Sequence, residues 1–225
     1  MGKTKNQKIR DMKNLLKILF LIVTVSCSND TKTEFGTPLI KKHFSSTERQ
    51  ELAGIVSFVD SLVLSKTKLN EIDKAYHYYL DSIYSSAKNG NMDALALDQK
   101  HKYAFIFAID TTLFNKIWTK STTAKIVKTS DTILYNPQNF ISIDLNSNGE
   151  FVKMLADLSN EKEYYKDLYN AIEIAGGLSP TNVSGFLISN KIFDFNDQND
   201  RLWAAIFLLT IEESIEIKVQ RYLKQ

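Results

Sequence analysis

The densest run of side chains able to do chemistry is Asp144-Leu-Asn146-Ser-Asn148-Gly149-Glu150. Oxygen ligands stand at alternate positions, a glycine takes the sixth for a sharp turn, and an apolar helical pattern follows. This is the first half of an EF-hand-type calcium loop. The twelfth position, where a bidentate glutamate belongs, is Leu155. Asp144, Asn146, Asn148 and Glu150 are therefore the candidate metal ligands, and calcium is the only cofactor the sequence suggests. An Asn/Gly turn capping a helix at Phe151 accounts for the same residues without a metal. A second oxygen-rich stretch, Asp194-Phe-Asn196-Asp197-Gln198-Asn199-Asp200, reads as a helix cap, with a weak cation site or polar recognition loop as the sharper alternative.

Catalytic residues are harder to find. Asp73 and His77 stand four apart and share a helix face, but two ligands do not make a zinc site, and an exposed Asp–His pair is the expectation. His43 and His101 have no supporting spacing. The chain has no His-Glu-x-x-His, Gly-x-Ser-x-Gly or Glu-x-x-His, and three histidines in all lower the expectation of general-base catalysis. The reading leans away from an enzyme. Two tyrosine groups, Tyr76, Tyr78, Tyr79 and Tyr164, Tyr165, Tyr169, put rings on both faces of their helices. Each group should send at least one ring to solvent or to a partner, and together they form the candidate binding face.

The elements that carry these residues are mostly helical. Ser45-Ser-Thr-Glu48 is a capping box, and Leu52, Ile55, Val56, Val59, Leu62 and Val63 then recur at helical spacing to about Ser65. Further helices are predicted over about 70–88, stopped at Asn89-Gly90, and over about 92–118, apolar nearly all round from Tyr103 to Ile109 and hence deep. Two more span about 149–158 and 160–175, the second ended by Gly176-Gly177. Ser179-Pro180 opens another with a cap and a first-turn proline. The last runs from about 197 to 224, so apolar between Leu202 and Ile211 that it reads as the central core helix. Residues 119–149 break the helical pattern and are expected to form an irregular crossing with at most a short hairpin. The predicted fold is all-α, a compact bundle of six to seven helices.

At the N-terminus, five basic residues between Lys3 and Lys13 precede an apolar run from Leu15 to Val25, followed by Ser26-Cys27-Ser28. The apolar run is about half the length needed to cross a bilayer, which favours an export signal over a permanent span. Thr24-Val25-Ser26-Cys27 resembles the lipobox of bacterial lipoprotein signal peptides, and Cys27 is the only cysteine in 225 residues. The resemblance implies cleavage before Cys27 and a diacylglyceryl thioether on its sulfur, usually with an acylated (for example palmitoylated) amino group. It implies a protein of a Gram-negative cell envelope, lipid-anchored at the outer membrane with surface display as an option. Residues 1–26 would then be the signal peptide, 27–44 a tether and 45–225 one globular domain. Disulfides are excluded.

Six of the 28 Lys/Arg and one of the 26 Asp/Glu fall in residues 1–26, which leaves 22 against 25 and a body near −3. That removes the electrostatic case for nucleic acid. The expected partners are membrane lipid, through acylated Cys27, and an envelope or extracellular protein. A lipid-anchored binding module, of a protective or immunity type among others, is the preferred expectation. The alternative is an envelope enzyme or cation-dependent binder using the acids at 144–150 or 194–200.

Overall fold

A helix that is apolar on every face must be enclosed on every face, and Gln198–Thr210 is that helix. The structure, a computed structural model describing residues 35–89 and 98–224, buries every residue from Leu202 to Thr210. In chain order the helices are α1 (Pro38–His43), α2 (Ser46–Thr67), α3 (Ile72–Lys88), α4 (Gln99–Ile106), α5 (Thr111–Ile117), α6 (Glu150–Ser159), α7 (Glu163–Ala175), α8 (Pro180–Ser189), α9 (Gln198–Thr210) and α10 (Ile215–Leu223). Around α9 stand α2, Phe151 of α6 stacked on Trp203, and Phe186 of α8 edge-on to both Trp203 and Phe207. The Trp118 indole closes one end, donating to Thr210 Oγ1 at 2.8 Å.

The capping box forms as its residues dictate: Ser45 Oγ accepts from Glu48 N, and the Glu48 carboxylate accepts from Ser45 N. Ser179 likewise caps α8 with Pro180 at its first position.

Four expectations are corrected. The fold is not a pure bundle of six to seven helices, because among the described residues ten α-helices are accompanied by strands β1 (Trp118–Thr123), β2 (Ile126–Lys128), β3 (Ile133–Tyr135) and β4 (Gln138–Leu145). These make two antiparallel pairs, β1–β4 and β2–β3, so residues 118–145 form a bent ribbon rather than an irregular crossing. A register shift between Ser121 and Thr123, with Asn136 and Asn139 at positive φ, breaks the alternation that would have announced a sheet.

Second, residues 35–44 are not tether. Ile40 and Phe44 are buried in the core, Thr37 caps α1, and its hydroxyl donates to Asn199 Oδ1 at 2.8 Å.

Third, the helix expected over 92–118 is divided. Its start lies outside the described residues, as does Gly90. Asp110 begins a new helix by accepting from Thr112 N, and the turn before it leaves Phe107 41% exposed instead of deep.

Fourth, the last helix stops at Thr210 and restarts at Ile215 under a Ser214 cap. Glu212 and Glu213 occupy the break, and their carboxylates are taken by groups on other elements and on α10. Glu212 accepts from Tyr103 Oη, Ile143 N and Lys218 Nζ, and Glu213 from Arg221.

Candidate ligand-binding cleft

The C-terminal end of α3, the length of α8 and one edge of β4 lean together over the last turn of α9. They leave a cleft of about 810 Å³ between them. Its walls are apolar: Ile83 and Ala87 from α3, Val183 and Leu187 from α8, Ile143 from β4 and Leu208 from α9. This volume and lining are those of sites that hold small organic ligands. Lys88 and Ser184 bring polar side chains to its rim, and Asp144 and Glu212 bring carboxylates.

Both carboxylates have structural tasks. Asp144 Oδ1 accepts from Leu145 N at 2.7 Å and from Leu178 N at 3.1 Å, so it ties β4 to the turn between α7 and α8. The turn passes so close that a Cβ on Gly177 would stand 2.6 Å from Asp144 Oδ2. Glu212 belongs to a polar web that also holds Lys102, whose ammonium donates to Ile211 O at 2.5 Å. Burial lowers the Lys102 pKa to about 8 against the opposing pull of Glu212, while burial and then Glu212 push the Tyr103 hydroxyl well above its ordinary value.

Of the four candidate calcium ligands, Asp144, Asn146 and Glu150 already bond protein groups. Asn146 Oδ1 accepts from Asn148 N and its amide donates to Asn115 O. Glu150 turns the other way, to His43 Nδ1 at 2.8 Å and to Lys153. Gly149 serves close packing: a Cβ there would lie 2.4 Å from Lys116 O. Among the described residues no group of three or more His, Cys, Asp or Glu side chains is arranged to hold a metal ion.

In the second acidic stretch Asp197 caps α9 and Asp194 accepts from Asn196 N. Asp200 is fully buried, and its carboxylate accepts from Lys162 Nζ (3.1 Å), Tyr164 Oη (2.9 Å), Tyr165 Oη (3.0 Å) and Asp194 N (2.9 Å). Burial, and then the Asp200 charge, raise the Tyr165 hydroxyl far above its usual pKa.

The six tyrosines do not form one face. Tyr76, Tyr79 and Tyr165 are core residues, Tyr164 is half-buried on Asp200, Tyr169 is half-buried on α7, and Tyr78 alone of its group is exposed. The Asp73–His77 pair is half-buried rather than exposed. Asp73 also accepts from Phe195 N, and His77 Nδ1 lies 2.9 Å from Asn190 Oδ1, so the pair fastens α3 to the segment before α9. His43, which its sequence neighbours leave unmarked, sits between Glu150 and Asp157, with Nε2 2.6 Å from Asp157 Oδ2. Its hydrogen bond is the main reason Glu150 titrates below the ordinary carboxylate range, and Lys42 followed by His43 does the same for Asp157. The cleft itself is not visible in the sequence, because its lining is the same aliphatic set that builds the core. Cys27 and the lipobox lie outside the described residues.

No protein-family model matches the chain, and neither a curated protein nor a solved structure matches it. No described helix is long and apolar enough to cross a membrane.

Proposed function

We propose that this is a lipid-anchored protein of a Gram-negative cell envelope that binds a small amphiphile without transforming it. Cys27 supplies the anchor, by its resemblance to a lipobox cysteine. The cleft between α3, α8 and β4 supplies the site, and its volume of about 810 Å³ with aliphatic walls is the observation that carries the reading. The apolar part of the ligand lies against Ile83, Val183, Leu187 and Leu208, and its polar end meets Lys88 and Ser184 at the rim. The carboxylates beside it, Asp144 and Glu212, are held by backbone amides and by Lys218, which suits positioning rather than proton transfer.

The test is a titration of residues 28–225, which contain every described element, with the neutral fluorophore N-phenyl-1-naphthylamine. Val183→Trp fills the cleft from its wall, and Ile174→Trp, at a position 87% exposed on α7, is the control. Wild type and control should bind one probe per chain with equal affinity, and Val183→Trp should lose about tenfold or more. Equal binding by all three rejects the cleft as the ligand site.

A further inference from the structure

The inner face of the β2–β3 ribbon is packed: Val127 is buried with Phe140 and Val219, and Leu134 and Tyr222 close the cluster. The register that puts Val127 opposite Leu134 puts Ile126 opposite Tyr135 and Lys128 opposite Ile133 on the other face. That outer face is open, with Ile126 61%, Ile133 47% and Tyr135 71% exposed. Three large apolar side chains on neighbouring strand positions are an interaction surface, and charge indicates for what. From Trp118 to Leu145 the ribbon carries Lys120, Lys125 and Lys128 against Asp131 and Asp144, the latter engaged by backbone amides, on a body whose overall balance is acidic. Lys128 stands on that outer face opposite Ile133, and Lys125, exposed at the residue just before β2, lies beside it at the end of the strand. Aliphatic side chains and a tyrosine bordered by lysines match the interface of an anionic bilayer, where apolar groups enter the headgroup boundary and ammonium groups meet lipid phosphates.

We propose that the outer face of the β2–β3 ribbon, Ile126, Lys128, Ile133 and Tyr135, with Lys125 at the end of the strand, is a docking surface for an anionic lipid bilayer. It lies on different elements from those lining the cleft, and it fixes how the body is oriented on the membrane that the N-terminal anchor reaches.

The test uses the mature, acylated chain in vesicles of phosphatidylcholine with phosphatidylglycerol, a fraction of the lipid being brominated. Trp118 and Trp203 are fully buried, so a tryptophan introduced on the surface dominates the quenching. In Tyr135→Trp the emission should shift to the blue and be quenched about twofold, while Tyr78→Trp, exposed on α3, stays unquenched in the same vesicles. Lys125→Glu with Lys128→Glu in the Tyr135→Trp background should abolish most of the quenching, as should omission of phosphatidylglycerol. Co-flotation of Tyr135→Trp with the vesicles while its introduced indole remains unquenched overturns the proposal and leaves the anchor standing. Equal quenching at positions 78 and 135 also overturns it, since contact would then be unspecific. Quenching at position 135 in a Cys27→Ala chain would uphold the ribbon contact even if the anchor reading fails.

Discussion

Replacing Gly177 by alanine tests whether Asp144 is a clamp on the α7–α8 turn or a ligand awaiting a cation. The new Cβ would stand 2.6 Å from Asp144 Oδ2 and 2.9 Å from Cγ, well inside contact distance. The Gly177 backbone has an ordinary φ, so the cost comes from displacing the carboxylate. Relief requires Asp144 to rotate away, giving up charge-assisted bonds from Leu145 N and Leu178 N. Each such bond contributes about 1.5–3 kcal/mol when desolvated, and less here because Leu178 N is near solvent, so a loss of about 1–3 kcal/mol is expected. Asp144→Ala should cost a similar amount. The diagnostic quantity is the coupling: in the Asp144→Ala background the three atoms nearest the extra methyl are gone, and Gly177→Ala should then cost under about 0.5 kcal/mol. Urea unfolding of the four chains measures this, with m-values expected to agree. Equal costs for Gly177→Ala in both backgrounds would refute the clamp.

Asp200→Ala leaves the fully buried Tyr165 hydroxyl and Asp194 N without their acceptor and Lys162 without its nearest carboxylate, so it should lower stability by about 3–5 kcal/mol in the same assay. Lys102, with its pKa held at about 8, takes up fewer protons than the unfolded chain between pH 8 and 10.5. Stability should therefore rise with pH through that window, by up to about 3 kcal/mol, until above pH 10 the raised Tyr103 works the other way; Lys102→Met should flatten the rise. Glu150 and Asp157 titrate low in the folded chain, so their contribution is complete above pH ~4.5 and lost as pH falls through the lowered values; His43→Ala should weaken that acid limb in pH-dependent unfolding. In a Gram-negative host, wild type should fractionate with membranes and give an intact mass with an acylated N-terminal Cys27, and Cys27→Ala should remain unprocessed; normal maturation of the variant would withdraw the anchor.

The helices that the sequence shows plainly are those with one apolar stripe and a chemical stop, such as α2 with its capping box and α6 with Phe151, Met154, Leu155 and Leu158 all buried. Where an apolar run continues past a break, the pattern misleads. Nothing apolar marks the end of α9, because the break depends on Glu212 and Glu213 finding Tyr103, Lys218 and Arg221 on α4 and α10. The Asp110-Thr-Thr112 cap is legible as a helix start but lies inside a longer apolar pattern, and α1 is hidden by Thr37-Pro38, a helix start set in a stretch of tether-like composition. Residue type alone puts Tyr165 in the candidate binding face, yet its hydroxyl has the buried Asp200 to bond, as the inward-facing Tyr76 has the half-buried Asp60. A ring with such an acceptor can be core, and only tertiary contact supplies the acceptor.

Amide hydrogen exchange of residues 28–225 with and without N-phenyl-1-naphthylamine would locate the bound probe directly. Added protection should fall on the end of α3 at Ile83–Lys88, on Ser142–Asp144 and on Leu178–Ile188, with the ribbon at Ile126–Tyr135 and α10 unchanged. Protection on the ribbon alone, or spread evenly over the chain, would contradict a ligand-holding cleft.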